Sequence, residues 1–544
     1  MPVVASCYCS FGLKATRISK KSDVTLLTWL SALLTMRCTG PAERGAPIMI
    51  EPLVDRFRRL VSAAPDAPAV RDDRGLALTR QALWEEAGRV AAELAGHGVA
   101  AGDVVLQCLP NRVGWQVVFL GCLRLGAVPA TLPTITPAET VTYICDLIGA
   151  RALVAARHGA GTAGEAAVAA ARASGRPVTV GLVDDGERTW YRADSGDRVP
   201  TTFAHLMFTS STTGMPKAVA HTESTLGAVN AGFVQRFGID TQRPIFMASP
   251  LGHSVGAWHG GRLSLFTGAE LVLQERWDPA LAVSLIREHR CGFTAAATPF
   301  LKDLLDQPGM EKLGGLRTFL CGGAPVPPAL VDQAAREAPG TFVSVLWGMT
   351  EGGVTTCVPG DPPRRVRETA GTGLPGLDLR TLGPPGGEGE LVMRGPGVFV
   401  DYLGQPELYR NSLTPEGFFR TGDLAVLDPD GYVRITGRLK DLIIRGGINI
   451  SPLPLENALS AHPAVRRVAV IGLPDERLGE RICAVVQPDE ARPDLDGLCR
   501  WLAERNVPRR HWPERLCFVD EMPQTAAGKI RKVELRNRLA KECR

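Results

Sequence analysis

The feature that most constrains this chain is a regular alternation of amphipathic helices and short, wholly apolar segments. Apolar side chains recur at helical spacing from residue 83 to residue 94, and glycines at 96 and 98 end that helix. The apolar run at 104–109 predicts a buried strand, and the helix predicted over 113–125 ends at Gly126. Alternation of this kind predicts a largely parallel sheet.

The C-terminal part has a different pattern. Residues 468–473 and 482–486 predict strands, and residues 495–505 predict a helix. The stretch at 383–389 is rich in proline and glycine and predicts a turn between strands, not a linker. We therefore expect a small α+β unit at the C-terminal end.

Charge and cysteine content narrow the class of protein. The chain has 61 basic and 57 acidic side chains, and its formal net charge of +4 gives no electrostatic reason for a nucleic-acid partner. Its 13 cysteines are scattered, and the close pair Cys7 and Cys9 has no second pair or histidine cluster at metal-ligand spacing. We expect a soluble, reduced, cytoplasmic enzyme without a zinc site.

Residues 1–48 differ from the rest of the chain. Basic residues at 14, 17, 20 and 21 precede an apolar run at 24–36, which is the order found in a signal peptide, but the run is short for a membrane span. The alternative is an upstream start or tag, because the first amphipathic helix is predicted at 52–63. We expect a poorly ordered extension, no membrane partner, and a functional start at Met49.

A loop rich in hydroxyl groups is the first candidate for chemistry. Residues 208–218 read FTSSTTGMPKA and follow a predicted strand at 205–208. Hydroxyl side chains, free backbone amides and one lysine suit a polyphosphate, although a polar surface turn has a similar composition. The Walker spacing GxxxxGK[ST] is absent, and Pro216 precedes Lys217.

Four further motifs follow this loop in order: WGMTE at 347–351, FRTGD at 419–423, GRLKDLIIRGGINISP at 437–452 and PQTAAGKI at 523–530. With these five motifs, residues 51–535 resemble the adenylate-forming superfamily of acyl-CoA synthetases, nonribosomal peptide synthetase adenylation domains and firefly luciferase. The resemblance implies a large N-terminal multi-sheet α/β domain (49–437), a hinge (438–442) and a small mobile α+β C-terminal domain (443–544). It also implies ATP, Mg²⁺ and coenzyme A.

The resemblance assigns the nucleotide side of the site. Lys217 would neutralise phosphate charge, and Trp347 would stack on adenine unless it is a plain core residue. Thr350 would contact the α phosphate, and Glu351 would bind magnesium. Asp423 would accept hydrogen bonds from the ribose hydroxyls, with Arg438 near the same nucleotide. The other predicted ATP-binding residues are small or carry hydroxyls: Thr209, Ser210, Ser211, Thr212, Thr213, Gly214, Gly322, Gly323, Ala324, Pro325 and Gly348.

The resemblance assigns the chemical step to Lys529. A cation between the attacking carboxylate and the α phosphate, which are both anionic, favours the transition state. The alternative is an ordinary solvated lysine near a basic C-terminus. Lys440 matches the hinge about which the small domain rotates after adenylation, and rotation would bring Gly446, Gly447 and Asn449 toward the thiol of coenzyme A.

One motif is excluded. Residues 371–376 satisfy the dinucleotide pattern GxGxxG, but Pro375 and the alternating leucines that follow predict a turn into a strand. A nicotinamide site would need a helix there.

Three residues depart from the family pattern. Ser211 and Ala218 stand where glycine is usual, and Pro454 stands where an acidic residue is common. None of these changes removes an assigned charged group, so we expect activity to be retained, and the effect of Ser211 and Ala218 on the loop dynamics stays open.

The resemblance assigns the acid pocket to four residues of the segment 250–256: His253, Ser254, Val255 and Gly256. His253 would gate the pocket or be a hydrogen-bonded core histidine. No acidic residue lies between Asp240 and Glu270, so the ammonium of an amino-acid substrate would be unpaired. We expect an apolar acid, and the glycines at 252, 256, 260 and 261 suggest room for a bulky or cyclic skeleton.

The resemblance thus implies an AMP-forming acid–thiol ligase that joins a small carboxylic acid to coenzyme A. Loading of a carrier-protein phosphopantetheine stays open as an alternative. A different class, an inactive nucleotide-binding paralogue, also stays open, although the charged residues assigned above argue against it.

Overall fold

The computed structural model describes residues 51–157, 164–174, 178–184, 187–191, 201–209, 215–308, 313–489, 491–524 and 529–542. The described residues all belong to one compact unit, Ile50–Arg544. The predicted extension at 1–48 and the phosphate-loop residues 210–214 lie outside the described residues.

The helices follow the apolar periodicity of the sequence. The helix that ends at Gly126 does so because that glycine adopts a left-handed conformation, with φ of 76°. The predicted helices at 52–63, 113–125 and 495–505 are confirmed within one residue at each end. The α-helices are α1 Leu53–Ala63, α2 Arg80–Gly96, α3 Val113–Leu125, α4 Ala138–Ile148, α5 Gly164–Ala173, α6 Glu223–Phe237, α7 Ser254–Gly256, α8 Leu263–Thr267, α9 Pro279–Glu288, α10 Thr298–Leu305, α11 Pro328–Glu337, α12 Pro363–Glu368, α13 Pro406–Asn411, α14 Leu453–Leu459, α15 Leu495–Glu504 and α16 Lys532–Glu542.

The strands include the apolar segments recognised in the sequence, and every residue of the strand predicted at 104–109 and found at Val104–Cys108 is buried. The strands are β1 Pro68–Asp72, β2 Ala77–Thr79, β3 Val104–Cys108, β4 Val128–Thr131, β5 Ala152–Ala156, β6 Thr179–Asp184, β7 Glu187–Tyr191, β8 His205–Thr209, β9 Lys217–His221, β10 Ile245–Met247, β11 Leu271–Leu273, β12 Phe293–Ala296, β13 Thr318–Gly322, β14 Phe342–Met349, β15 Gly352–Thr356, β16 Thr372–Gly373, β17 Asp378–Leu382, β18 Gly389–Arg394, β19 Asp401–Tyr402, β20 Phe419–Leu427, β21 Val433–Arg438, β22 Ile443–Arg445, β23 Ile448–Ile450, β24 Val465–Asp475, β25 Gly479–Pro488 and β26 Arg515–Phe518.

Two large sheets form the first part of the fold. One has the order β16-β15-β14-β13-β12-β10-β11-β1-β2, and the other has the order β19-β9-β8-β4-β3-β5-β6-β7. Strands β14 to β1 of the first and β8 to β6 of the second pair in parallel, and the outer strands pair antiparallel. This arrangement confirms the predicted α/β class, because helices connect the parallel strands and cover the sheets.

Two smaller sheets follow. An antiparallel sheet β17-β18-β20-β21 contains the predicted turn at 383–389 between its first two strands. The last sheet has the order β23-β22-β25-β24, with β26 added in parallel to β25. Its two apolar clusters are built from residues between Ile443 and Leu539. The C-terminal part therefore has a core of its own, as the α+β pattern predicted.

None of the helices that the structure describes is long and apolar enough to cross a membrane. The cysteines from Cys108 to Cys517 are free thiols, and most of them are buried.

Candidate active site

One side of the site lies at the ends of two neighbouring parallel strands. Strand β13 ends at Gly322, which pairs with Leu346 of β14, so the loop after β13 and the WGMTE motif share one edge of the sheet. A Cβ atom at Gly322 would lie 2.2 Å from the carbonyl oxygen of Leu346, so a side chain cannot be accommodated there. The strand ends thus bring the predicted ATP-binding residues 322–325 next to Trp347, at the edge where α/β sheets bind ligands.

The phosphate loop joins two antiparallel strands. Thr209 at the end of β8 lies opposite Lys217 at the start of β9. The residues between them, Ser210 to Gly214, are not among those described. Ala218 is buried inside β9 and is absent from the residues with positive φ, so glycine is not needed there. Pro454 lies in the first turn of α14, where a missing amide hydrogen costs little.

Asp423 is held by two side chains at once. The indole Nε1–H of Trp347 donates to Oδ2 at 2.8 Å, and the guanidinium Nε–H of Arg438 donates to Oδ1. Asp423 and Arg438 are register partners on β20 and β21, which explains their meeting. Asp423 is 4% exposed, and each carboxylate oxygen retains a lone pair. The carboxylate is therefore oriented and can still accept hydrogen bonds from a diol.

Trp347 is also part of the core. Its side chain is 8% exposed and belongs to an apolar cluster with Tyr402, Phe419 and Met393. Trp347 therefore packs in the core, as the alternative interpretation expected, and adenine stacking stays a prediction.

Glu351 is a buried carboxylate with one polar neighbour from a distant strand. It is 5% exposed, and its Oε1 accepts a hydrogen bond from the Tyr402 hydroxyl at 2.7 Å. Burial raises the pKa of Glu351, and the Tyr402 hydrogen bond and the charges of Lys217 and Arg438 act against that shift. No group of three or more histidine, cysteine, aspartate or glutamate side chains at metal-binding distance occurs in the described part of the chain. A single carboxylate oxygen donor fits Mg²⁺ that arrives with ATP phosphates.

Thr350 is fixed by a histidine that the sequence analysis missed. The Nε2–H of His221 donates to the Thr350 carbonyl at 2.8 Å, and Nδ1 lies 3.0 Å from the Thr225 hydroxyl. Burial lowers the pKa of His221 to about 4, so its imidazole is neutral at pH 7. Its ring also contacts Trp258 edge-on, with 4.6 Å between centroids. Both His221 and Tyr402 fall outside the motif residues, and their types alone gave no signal.

Lys529 enters this site from the C-terminal sheet. It directly precedes Ile530, which forms a bridge with Gln524 and packs on the C-terminal core. Part of its side chain is accessible to solvent. The surrounding protein still desolvates the ammonium and lowers the pKa of Lys529 to about 8, and the charges of Arg438 and Lys440 add to the shift.

The charge of Lys529 also influences a residue of the predicted acid pocket. Burial lowers the pKa of His253 to about 4, and the charge of Lys529 contributes to this shift. The charge of Lys529 therefore acts on His253, and the charge of Asp423 acts on Lys529.

The hinge candidate Lys440 lies in a short 3₁₀ segment, Leu439–Asp441, directly after β21. Burial lowers the pKa of Lys440, and the charge of Arg438 contributes. Beyond it, β22 and β23 form a hairpin whose two loop residues are Gly446 and Gly447, with φ of 56° and 80°. A two-residue turn of this kind requires positive φ at both positions. The turn alone accounts for both glycines, so contact of this loop and Asn449 with coenzyme A stays a prediction.

The acid-pocket segment begins a helix with an unusual second turn. His253 caps it, with Nδ1 accepting from the Val255 amide at 3.4 Å, and a π-helical segment, Ala257–Arg262, follows α7. Ser254 and Gly256 are buried, and Val255 is half-buried. Segments of π-helix are frequent at functional sites.

The interpretation of the glycines in this segment as room for a substrate is wrong. Each one accommodates a close neighbour, so its missing side chain is already used by packing. An added Cβ would meet another atom in all four cases: Leu132 C at Gly252 (2.2 Å), Pro250 O at Gly256 (2.3 Å), Met247 Cγ at Gly260 (2.8 Å) and Trp115 Cζ3 at Gly261 (2.6 Å).

The turn into a strand that was predicted after residues 371–376 is confirmed. Residues 372–373 form β16, and after a turn the chain continues into β17 without a helix. The pattern GxGxxG therefore has no structural context here.

Comparison with known proteins gives the family. The profile of the AMP-binding enzyme family matches residues 57–403, and that of the AMP-binding enzyme C-terminal domain matches residues 454–529. The medium-chain fatty-acid–CoA ligase of Escherichia coli (strain K12) is 32% identical over 519 residues, which cover 89% of this chain and 90% of that protein. The feruloyl-CoA synthase of Amycolatopsis sp is 33% identical over 497 residues, 88% of this chain and 97% of that protein.

A solved structure agrees with these relatives. The crystal structure of ATP-bound MatB from Rhodopseudomonas palustris matches with a TM-score of 0.80 and 26% identity, over 90% of this chain and 100% of that one. These matches confirm the predicted fold and the prediction of an AMP-forming acyl-CoA synthetase. The chain belongs to the AMP-binding enzyme family, in the acyl-CoA ligase branch of the adenylate-forming superfamily.

Proposed function

We propose that this enzyme is an ATP-dependent carboxylic acid–CoA ligase for an apolar acid, and that Lys529 carries its first half-reaction. The observation that carries the proposal is the position of Lys529, whose charge acts on His253 and is itself influenced by Asp423. Such a cation interacts electrostatically with both the predicted acid pocket and the predicted ribose site. We further propose residues 438–442 as the hinge and a cytoplasmic location, where ATP is available.

In the first step, a carboxylate oxygen of the acid attacks the α phosphorus of ATP and pyrophosphate leaves. Asp423 would hold the ribose through the lone pairs left free by Trp347 and Arg438. Thr350, whose carbonyl is fixed by His221, would present its hydroxyl to the α phosphate. Lys529 would stabilise the charge that accumulates as two anions approach.

Magnesium would be held by Glu351 and would supply neutralisation of the phosphate charge. Lys217 acts on the same phosphates from the start of β9, next to the hydroxyl loop.

In the second step, the thiol sulfur of coenzyme A attacks the acyl carbonyl carbon and AMP leaves. The proposal places this step in a second pose, reached by rotation at Lys440. Ile444 and Ile448, on the hairpin next to Gly446 and Gly447, are 55% and 50% exposed. Apolar side chains this exposed support an arrangement in which another surface covers the hairpin.

Three observations support an apolar acid. The segment between Asp240 and Glu270 contains no carboxylate, and the imidazole of His253 is neutral at pH 7 because its pKa is about 4. An amino-acid substrate would also place its ammonium close to its own carboxylate and therefore close to the positive charge of Lys529. Whether the apolar part is a chain or a ring is left to the substrate test, because the glycine argument for a ring is wrong.

The test is pyrophosphate release across a panel of carboxylic acids with coenzyme A present or absent. Straight-chain acids, aromatic acids and amino acids with the same side chains form matched sets. We expect apolar acids to support far faster release than their amino-acid counterparts and to yield a CoA thioester. Equal rates within a matched pair contradict the acid assignment. Release without thioester formation points to a carrier protein, and no release with any acid supports an inactive paralogue.

A further inference from the structure

Tyr402, which lies outside every sequence motif, contacts both the phosphate side and the magnesium side of the site. Strand β19 pairs antiparallel with β9, and Tyr402 lies opposite Val219. Lys217 is two residues before Val219, so its side chain emerges on the same face of the sheet, diagonal to Tyr402. The ladder between β9 and β19 therefore fixes the distance between Lys217 and Tyr402.

Tyr402 makes two different contacts with its two ends. Its hydroxyl donates to Oε1 of Glu351 at 2.7 Å, and the ammonium of Lys217 lies 4.9 Å from the centroid of its ring. The amide of Phe399 donates to the Glu351 carbonyl at 2.9 Å, so the same segment holds the backbone of Glu351 as well. Tyr402 is 1% exposed and packs against Phe399 at 4.7 Å between centroids.

These contacts have a clear physical consequence. A buried carboxylate with one oxygen held by a hydroxyl keeps a fixed orientation, which leaves its other oxygen for a ligand. A lysine over an aromatic face gives up part of its rotational freedom without losing its charge. One side chain thus orders both the group that would bind Mg²⁺ and the group that would bind the phosphates.

We propose that Tyr402 is a positioning residue that orients Glu351 and Lys217 to bind a magnesium–nucleoside triphosphate together. The proposal rests on the proposed function, which supplies the roles of these two residues. It adds a third residue, and it predicts that the two contacts are separable by substitution.

The test uses three variants of the full chain. Tyr402→Phe keeps the ring and removes the hydroxyl, and Tyr402→Leu removes both contacts. Tyr409→Phe is the matched control, because Tyr409 contacts the same Phe399 edge-on at 5.2 Å and its loss removes a hydroxyl from the same aromatic cluster. Calorimetric ATP binding is measured over a range of Mg²⁺ concentrations, alongside the Mg²⁺ dependence of pyrophosphate release.

Tyr402→Phe should raise the Mg²⁺ concentration for half-maximal ATP binding by about 10-fold or more, the usual effect of removing a group that orients a metal ligand. High Mg²⁺ should restore its rate, which a general structural defect would not allow. Tyr402→Leu should in addition weaken ATP binding at saturating Mg²⁺, because Lys217 loses its aromatic support.

A Mg²⁺ requirement of Tyr402→Phe within twofold of that of Tyr409→Phe overturns the proposal. The Tyr402→Phe substitution removes only one oxygen atom, so this variant should fold even if Tyr402→Leu does not. Failure of the proposed function gives a different result, because the unmodified enzyme would then bind magnesium–ATP without releasing pyrophosphate for any acid.

Discussion

The two sides of the site are held in different ways. On the nucleotide side, Asp423 and Glu351 are 4% and 5% exposed, and each accepts hydrogen bonds from side chains of other strands. On the opposite side, Lys529 is accessible to solvent on a loop of a separately packed sheet. The chain runs between the two sides through the short segment Leu439–Asp441.

This difference suggests a division of labour. A carboxylate fixed by neighbouring strands can bind ATP without rearrangement, because the cost of ordering it is met by folding. A charge carried by a unit with its own core can be withdrawn as that unit moves. The comparison therefore predicts that changes on the nucleotide side affect stability and ATP binding, whereas changes on the other side affect single half-reactions.

The largest effect is expected at the nucleotide side. Asp423→Ala leaves Arg438 and the Trp347 indole without their partner, so the free energy of unfolding should fall by about 3 kcal/mol and ATP binding should be lost. Chemical denaturation and calorimetry measure both. Asp430→Ala removes an exposed carboxylate that pairs with Arg365 and should cost less than about 1 kcal/mol. Equal losses of unfolding free energy in the two variants would show that the hydrogen bonds of Asp423 do not stabilise the nucleotide side of the site.

The next effect concerns the hinge. Lys440→Pro restricts φ at the position where rotation is proposed, so thioester formation should slow roughly tenfold, as expected for a backbone strain of 1–3 kcal/mol. Pyrophosphate release should persist if the conformation that forms the adenylate tolerates the proline. Both half-reactions are measured separately, with synthetic acyl adenylate supplied for the second. Unchanged thioester formation would place the hinge elsewhere.

A pH profile sharpens the electrostatic part of the comparison. The pKa of Lys529 is lowered to about 8, and the charged form is the one the first step needs. The kcat/KM for pyrophosphate release should therefore be fully present below this pKa and fall about tenfold per pH unit above it. Lys529→Arg retains its charge and should move this decline to higher pH. A decline at the same pH in both proteins would assign it to another group.

The smallest effect is expected from the N-terminal extension. Deletion of residues 1–48 should leave the melting temperature and the turnover nearly unchanged, because no family motif begins before about residue 51. Comparison of the truncated and full chains measures both quantities. A large loss in either would mean that this segment contributes to the folded enzyme.

Structural features that depend only on nearby residues in the sequence were predictable. Apolar runs predicted the strand before the hydroxyl loop and the strand after residues 371–376, and proline and glycine predicted the turn at 383–389. The motif residues Asp423 and Arg438 meet because they pair across one hairpin.

Long-range contacts were not predictable in this way. Tyr402 meets Lys217 through a ladder between segments about 180 residues apart in sequence, and its hydrogen bond to Glu351 spans 51 residues. Nothing in the local sequence pattern indicates either contact. The glycines at 252–261 misled for the same reason, because a missing side chain leaves either a cavity or a close contact, and the sequence cannot distinguish them. The neighbours at Gly252 and Gly261 are Leu132 and Trp115, more than 100 residues away in sequence, whereas the neighbour at Gly256 is the nearby Pro250.

The most direct test of the division of labour is the Lys529→Ala variant, assayed for the two half-reactions separately. Without the cation between two anions, pyrophosphate release should fall by roughly 10² or more, while presynthesised acyl adenylate should still be converted to the CoA thioester at a rate near that of the unmodified enzyme. Equal loss of both half-reactions would contradict the account, because Lys529 would then serve the fold or both poses and not adenylation alone.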